Sequence, residues 1–184
     1  MTELRWTDEQ PTLHASGLTL RPWRASDADA VYAACQDPEI VAWTAIPSPY
    51  LLSHAEGFVG PVSAAAWAHK SAANFAVTTD DGTLVGSFGL VRMNPGQSVA
   101  EVGYWVAPAA RRRGVAERAA AAVTEWALRE VGFARIELLA AVGNAGSRRV
   151  AVKIGFTQEG ILRSAGAGRE QRQDLAIYSR LPQD

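Results

Sequence analysis

The chain has 184 residues, and 48% of them are hydrophobic, which is ample material for the core of one globular domain. Its formal net charge of −1 argues against an extended cationic surface, so we expect neither a nucleic-acid partner nor an anionic membrane. One cysteine, Cys35, permits no internal disulfide, and the scattered histidines lack metal-ligand spacing. The segment Met1–Gln10 has no apolar leader region, and no apolar run is long enough to span a bilayer. These features predict a cytoplasmic, unprocessed protein that forms a single domain over residues 1–184 and carries no metal.

The first predicted elements are a strand and a helix. Leucines alternate with polar residues over Ser16–Pro22, and the proline cannot donate to a neighbouring strand, so we expect a strand that ends there. A capping box formed by Ser26 and Asp29 is expected to begin the helix. The apolar stripe of this helix includes Cys35. We assign Cys35 to the core rather than to nucleophilic catalysis, because the sequence places no activating base near it.

Trp43 and Tyr50 bound a segment rich in proline, which favours a stiff loop over a regular element. Two interpretations remain open for these aromatic side chains: they line the substrate side of a site, or they cover an apolar edge. A second capping box, from Ser53 to Glu56, is expected to begin the next helix. Pro61 is expected to kink or break that helix.

Three consecutive antiparallel strands are predicted next. Asn74–Thr79 and Thr83–Met93 are β-rich segments on either side of Asp81-Gly82, which is a strong hairpin-turn signal. Another turn leads to Glu101–Ala107, where valine and tyrosine alternate with other residues. This meander delivers the chain to the start of a long alanine-rich helix that ends at a glycine.

The start of that helix carries the densest positive charge of the chain. Free backbone N–H groups at a helix start, small residues and three adjacent arginines suit a phosphate or pyrophosphate group. The glycine spacing excludes both the P-loop and the dinucleotide-binding loop. A basic, solvated helix start is the alternative interpretation. The candidate cofactor-binding residues of this turn are Arg111, Arg112, Arg113, Gly114, Val115 and Ala116.

The C-terminal part completes the predicted sheet. The apolar segment Ala134–Val142 predicts a buried strand, and Ser147–Ile154 carries apolar residues at helical spacing before a glycine cap. Phe156–Arg163 and Asp174–Leu181 predict the last two strands, on either side of a glycine-rich turn.

Several motifs together indicate a family. The arginine-rich turn, Arg-x-x-Gly-x-Ala, is similar to the pyrophosphate-binding signature of the GNAT superfamily of acyl-CoA N-acyltransferases. An Asn-x-x-Ser motif that begins at Asn144 and a Lys-x-Gly-Phe motif that begins at Lys153 resemble the second half of that superfamily's acetyl-CoA site. With a Glu-x-Gly-Tyr-Trp motif at Glu101, the combination resembles the RimJ/RimL-type branch of ribosomal-protein N-terminal acetyltransferases, from about Leu18 to the C-terminus.

The resemblance implies an α+β GNAT fold with a central mixed, mostly antiparallel sheet of about seven strands and about four flanking helices. The fourth and fifth strands would splay apart in a V and hold the pantetheine arm of acetyl-CoA. Acetyl-CoA would be the cosubstrate, and no metal would be required.

The resemblance also implies roles for individual residues. Backbone N–H groups near Val106 would polarise the thioester oxygen, and Asn144 would anchor the pantetheine arm. Ser147 would donate to the departing thiolate, and Glu101 would act as general base through water. Asn144 and Ser147 are also good helix caps, and both roles can coexist. Glu101 has a second interpretation, as an edge carboxylate paired with a neighbouring cation.

Arg112 departs from the family, which usually has glycine at this position. Because positive φ is costly for an arginine, we expect φ to stay negative here and the side chain to point away from the pyrophosphate. The guanidinium would then either reach the adenosine 3′-phosphate or stay solvated.

The leading functional hypothesis is an acetyl-CoA-dependent N-acetyltransferase that acts on a protein or peptide N-terminal α-amine. A small-molecule amine or antibiotic acetyltransferase and a non-catalytic acyl-CoA sensor are the alternatives. We expect a monomer or homodimer. Trp43 and Tyr50 are the substrate-side candidates, and the sequence leaves open the roles of Arg169, Glu170, Arg172 and Asp174.

Overall fold

The computed structural model describes residues 4–169 and 171–184. Its strands are Leu13–Ala15 (β1), Leu18–Arg21 (β2), Ala73–Thr79 (β3), Leu84–Asn94 (β4), Val99–Val106 (β5), Arg135–Ala141 (β6), Thr157–Gly166 (β7) and Gln173–Arg180 (β8). They form one eight-stranded sheet in the order β1-β2-β3-β4-β5-β6-β8-β7. Within the described ranges β5 and β6 form the one parallel pair. The α+β class and the mixed, mostly antiparallel sheet are confirmed. β1 is an additional strand, too short to leave a period in the sequence.

Helices cover both faces of the sheet. The α-helices are Ala28–Ala34 (α1), Pro38–Trp43 (α2), Leu52–Gly57 (α3), Ser63–Ala68 (α4), Val115–Glu125 (α5) and Ala145–Lys153 (α6). Tighter or wider helical turns occupy Ala25–Asp27, Phe58–Val62, Pro95–Gln97, Pro108–Ala110 and Trp126–Val131. No helix of the described ranges is both long and apolar enough to cross a membrane.

Two hydrophobic cores hold β5 from opposite sides. Ala100 and Val102 are buried with the apolar stripe of α5, whereas Trp105 is buried with residues of α1 and α3. Each large apolar side chain that is fully buried contributes about 1.5–3 kcal/mol, so both layers fix the strand. Since successive side chains of a strand point to opposite faces, Tyr104 belongs to the α5 face and Glu101 to the α1–α3 face.

The parallel pair of β5 and β6 separates part of the way along. Its last register partners are Glu101 and Glu137, after which β5 continues to Val106 without β6. Opposite this point β4 contains a bulge between Leu90 and Arg92, and bulges increase local twist. The bulge also needs Gly103, because a Cβ there would lie 2.8 Å from Cγ1 of Val91. The predicted V-shaped splay is therefore confirmed.

The first helical region begins differently from the prediction. The Asp27 carboxylate accepts a hydrogen bond of 2.8 Å from the Arg24 amide, and it also pairs with Arg21. The capping box predicted from Ser26 and Asp29 is wrong, because this ion pair places Asp27 at the first turn instead. The burial predicted for the cysteine of this region is confirmed.

The second helical region shows a similar displacement. Nδ1 of His54 accepts from the Leu51 amide at 3.1 Å, so the box predicted from Ser53 and Glu56 is wrong. Histidine can supply an acceptor nitrogen at this position, which the usual capping pattern overlooks. The predicted break is confirmed, because Gly60, just before Pro61, has φ −104° and ψ −110°.

Candidate functional site

The arginine-rich turn between β5 and α5 exposes main-chain donors. Gly114 adopts φ 70° at the N-cap of α5, and the first intrahelical bond runs from Arg118 N to Gly114 O at 3.1 Å. The preceding amides of the helix, those of Val115 and Ala116 among them, therefore have no intrahelical acceptor. Together with the positive end of the helix dipole, they form a site suited to a phosphate anion.

Two residues of this turn, Arg112 and Gly114, adopt the left-handed backbone conformation. The φ of Arg112 is 60°, so the negative φ predicted for it is wrong. Gly114 adopts the same conformation. Because glycine adopts positive φ without steric cost, the φ of Arg112 explains why the family usually has glycine at that position. For a residue with a side chain this conformation costs roughly 1–2 kcal/mol. The Arg112 side chain is exposed, and the two alternatives for it, contact with a 3′-phosphate and solvation, both stay predictions.

The guanidinium of Arg111 faces α2. Its Nη2 lies 2.5 Å from Oδ1 of Asp37, its Nη1 donates to Glu39 at 2.8 Å, and its Nε donates to Val106 O at 3.3 Å. Burial opposes the charge of Asp37, but Arg111 and the Ile40 amide hold the pKa of that carboxyl below its ordinary value. Arg111 thus ties the turn to α2 through its side chain.

Arg118, which no sequence motif indicated, supports the same loop from behind. Its Nε donates to Gly114 O at 3.3 Å, its Nη2 donates to Arg113 O at 3.0 Å, and its Nη1 donates to Ser16 O. These bonds hold the loop carbonyls toward α5, which leaves the amides on the other side. The contact of Arg118 with Gly114 could have been predicted, because the two residues are four apart on one helix. No feature of the sequence indicates the contact with Ser16.

One cavity of about 860 Å³ brings the other candidates together. Glu101, Asn144, Ser147, Trp43 and Tyr50 all line it. The cavity passes from the α1–α3 side of the sheet to the start of α6, through the gap between β5 and β6. Residues from distant parts of the sequence therefore line one cavity.

Glu101 lies at the apex of that gap. Its Oε2 accepts from Arg92 Nε at 2.6 Å, so the pairing with a neighbouring cation is observed. The Glu101 side chain is 14% exposed but that of Arg92 is 70% exposed, so water screens the pair. Burial raises the pKa of Glu101, Glu137 adds to the shift, and Arg92 opposes it. A raised carboxyl pKa makes the ionised form a stronger base.

Ser147 is fixed on two sides at the start of α6. Its amide donates to Oδ1 of Asn144 at 3.0 Å, which is the helix-capping role expected of asparagine. Its Oγ lies 3.0 Å from the phenolic oxygen of Tyr104. Since Tyr104 and Glu101 lie on opposite faces of β5, the serine and the carboxylate approach the gap from opposite sides. A group held in the gap would meet an acceptor of protons on one side and a hydroxyl donor on the other.

The two aromatic candidates line different parts of the cavity, Tyr50 beside α1 and α3 and Trp43 next to Gly143 at the turn between β6 and α6. Trp43 is 44% exposed, whereas Tyr50 is 7% exposed and packs in the same core as Cys35. Burial raises the pKa of the Cys35 thiol to about 11, although a hydrogen bond with Tyr50 opposes the shift. A thiol that stays protonated at neutral pH is a poor nucleophile, which agrees with the core assignment.

The β7–β8 turn contacts the segment that carries Trp43. Arg169 donates through Nε to Val41 O at 2.8 Å and through Nη2 to Ile46 O at 2.7 Å. Arg172 and Asp174 instead stabilise the turn itself, through the carbonyl and the amide of Ser164. Glu170 lies outside the described residues. Of the described side chains among these, Arg169 is therefore the one that contacts the segment that carries Trp43.

No group of three or more His, Cys, Asp or Glu side chains in the described part of the chain could hold a metal ion. The geometry instead provides a helix start suited to an anion, a gap between two strands and one cavity through that gap.

Comparisons with known proteins agree with this geometry. Residues 17–157 match the family described as the acetyltransferase (GNAT) domain. YdaF of Bacillus subtilis (strain 168), provisionally named a ribosomal N-acetyltransferase, is 34% identical over 104 residues, which cover 56% of this chain and 57% of YdaF. The chain thus matches little more than half the length of that relative. The uncharacterized N-acetyltransferase YoaA of the same organism is 25% identical over 170 residues, which cover 92% of this chain and 96% of YoaA.

Solved structures show the same fold. RimL, a ribosomal α-N-protein acetyltransferase solved in complex with coenzyme A, superposes with a TM-score of 0.86 at 18% identity. The superposition covers 95% of this chain and 100% of that one.

Proposed function

Because the chain belongs to the GNAT acetyltransferase family, we propose that it transfers the acetyl group of acetyl-CoA to a primary amine by direct attack. The acceptor that we propose is the N-terminal α-amine of a protein or peptide. One observation carries the proposal: a single cavity joins Glu101 and Ser147 from opposite faces of the gap between β5 and β6.

The cofactor half of the proposal depends on the main chain. The start of α5 would bind the pyrophosphate, and the pantetheine arm would lie between β5 and β6. Ala107 N donates to Val85 O in β4. Because N–H directions alternate along a strand, the Val106 amide points into the gap, where it would polarise the thioester oxygen. The coenzyme A bound to RimL, which has the same fold, supports this placement.

The reacting groups then have complementary tasks. Glu101 would accept a proton of the amine, through water, as the nitrogen attacks the carbonyl carbon. The carbon–sulfur bond would then break, with its electron pair going to sulfur. Ser147 would donate a hydrogen bond to the departing thiolate.

Magnitudes favour an α-amine as the acceptor. Deprotonation at pH 7 costs about 4.6 kcal/mol for a lysine side chain but about 1.1 kcal/mol for an α-amine, because their ordinary pKa values differ. Among the described residues that line the cavity, Glu101 is the one carboxylate, and it is already paired with Arg92. A polyamine would bring a second positive charge that this lining does not neutralise. The relative YdaF carries the name of a ribosomal N-acetyltransferase, which agrees with a protein acceptor.

The proposal is tested by following free thiol released from acetyl-CoA with a panel of amines. The panel contains a peptide with a free N-terminus, the same peptide N-terminally blocked with one free lysine, spermidine and an arylalkylamine. We expect the free N-terminal peptide to react fastest. Preference for the arylalkylamine would make the chain a small-amine acetyltransferase, and acetyl-CoA binding without turnover on any amine would make it a sensor.

A further inference from the structure

The hydroxyl of Ser147 has a partner that the steps above do not use. Tyr104 lies on the part of β5 that has separated from β6, and its phenolic oxygen is 3.0 Å from Ser147 Oγ. Its ring is stacked on Phe88, with centroids 4.9 Å apart and an interplanar angle of 7°. The strand and the stacked ring therefore fix where the phenol can reach.

The direction of this hydrogen bond follows from the task of the serine. A hydroxyl has one proton, so Ser147 can donate to a thiolate only if it accepts from Tyr104. The phenol must then keep its own proton. Burial raises the pKa of Tyr104 to about 12, although the bond with Ser147 opposes the shift, so the phenol is protonated at neutral pH.

We propose that Tyr104 is a positioning residue that donates to Ser147 Oγ and thereby aims the serine proton at the sulfur of the departing thiolate. The proposal rests on the acetyl transfer proposed above. With its amide held by Asn144 and its hydroxyl oxygen accepting from Tyr104, Ser147 keeps its own proton available for a group in the cavity that it lines. A hydroxyl that accepts one hydrogen bond also becomes a stronger donor in the next.

No proton leaves Tyr104 in this scheme. The carbon–sulfur bond breaks with its electron pair on sulfur, and Ser147 stabilises that pair by a hydrogen bond. The thiolate then takes a proton from water. The amine proton that Glu101 has accepted returns to water after the reaction, so the protons balance. A phenol whose pKa is about 12 would be a poor acid toward a thiolate, since thiols have pKa values near 8.5.

The test is a double-mutant cycle between Tyr104→Phe and Ser147→Ala. Phenylalanine keeps the ring that stacks on Phe88 and removes only the hydroxyl. With Ser147 present, we expect Tyr104→Phe to lower kcat roughly 3-fold to 10-fold, the value of one hydrogen bond, with KM for acetyl-CoA unchanged. In the Ser147→Ala background the same change should alter kcat less than about twofold, because its target is gone.

A control separates positioning from general loosening of α6. Tyr178 is also buried, and its phenol bonds Arg148 of α6 rather than Ser147. Tyr178→Phe should therefore leave kcat within about twofold even if it lowers stability.

Two results would overturn the role of Tyr104 while wild-type turnover still supported the acetyl transfer. One is an equal loss of kcat for Tyr104→Phe in both serine and alanine backgrounds. The other is no loss with Ser147 present.

Discussion

The proposed cofactor half and the proposed acceptor half of the cavity differ in the contacts that shape them. On the cofactor side, some of the bonds that shape the site join near neighbours, such as Asn144 with Ser147 and Gly114 with Arg118, although Arg118 also reaches Ser16 across 102 positions of the chain. On the acceptor side, Arg169 reaches Val41 across 128 positions of the chain. Contacts between near neighbours can be recognised from the spacing of residues in the sequence, whereas contacts between distant residues cannot. The local contacts of the cofactor side can therefore be predicted from the sequence, whereas the Arg169 contacts cannot.

The largest expected effect tests whether Glu101 is the general base that deprotonates the acceptor amine. Glu101→Gln should lower kcat/KM roughly 100-fold or more with a lysine acceptor and clearly less with an α-amine, because the α-amine is easier to deprotonate. In the wild type, activity should fall as the pH drops through the raised pKa of Glu101, and this acid limb should vanish in the variant. Initial rates against pH with paired peptides measure both effects.

The matched control is Glu137→Gln, which changes the register partner of Glu101 on β6. At a pH where Glu101 is ionised, Glu137→Gln should leave the ratio of kcat/KM for the two acceptors unchanged. Equal losses on both acceptors in Glu101→Gln would reduce Glu101 to a positioning group.

The next effect should be confined to the cofactor half. Ser147→Ala should lower kcat roughly 10-fold to 100-fold with little change in acetyl-CoA affinity, since a hydrogen bond to the thiolate acts mainly in the transition state. Steady-state kinetics and a binding titration together give the two quantities. The control is Ser179→Ala, which removes another buried serine hydroxyl. That hydroxyl donates to Glu159 rather than facing the gap, so kcat should be unchanged. An unchanged kcat in Ser147→Ala would contradict the role of the serine.

A smaller effect should be confined to the acceptor half. Arg169→Ala removes two hydrogen bonds to the Val41 and Ile46 carbonyls, so KM for a peptide should rise roughly 3-fold to 10-fold. KM for acetyl-CoA should stay constant. Arg163→Ala changes an exposed arginine of the same hairpin and is the control. A rise in the KM of both substrates in Arg169→Ala would mean that the halves are not separable.

The smallest effect concerns backbone strain in the phosphate loop. Arg112→Gly should stabilise the fold by about 1 kcal/mol, because glycine adopts φ 60° without the steric cost, partly offset by its greater freedom when unfolded. Arg113→Gly, at a residue without positive φ, should instead destabilise the fold by roughly 0.5–1 kcal/mol. Urea unfolding of both variants measures the difference. Equal stability changes would show that Arg112 is not strained.

Sequence reasoning succeeded where a short segment decides its own structure. The strand–turn–helix around Gly114 and the Asn-x-x-Ser start of α6 were both predicted, since turn chemistry and apolar period lie within a few residues. It failed where a side chain from elsewhere competes. Asp27 begins the first helical region because Arg21 pairs with it, and φ at Arg112 follows the loop rather than the residue.

The acceptor half could not be predicted for the same reason. Nothing near Arg169 in sequence signals the carbonyls of Val41 and Ile46. The pairing of Arg111 with Asp37 likewise depends on how α2 packs against the loop, which appears only when the chain is folded.

Initial-velocity kinetics with acetyl-CoA and a peptide test direct attack across the gap most directly. Direct attack requires acetyl-CoA and the amine to be bound at the same time, so double-reciprocal plots at several fixed peptide concentrations should intersect, with no burst of thiol when peptide is absent. Parallel lines, with a stoichiometric burst and an acetylated enzyme, would indicate a covalent intermediate and contradict direct transfer.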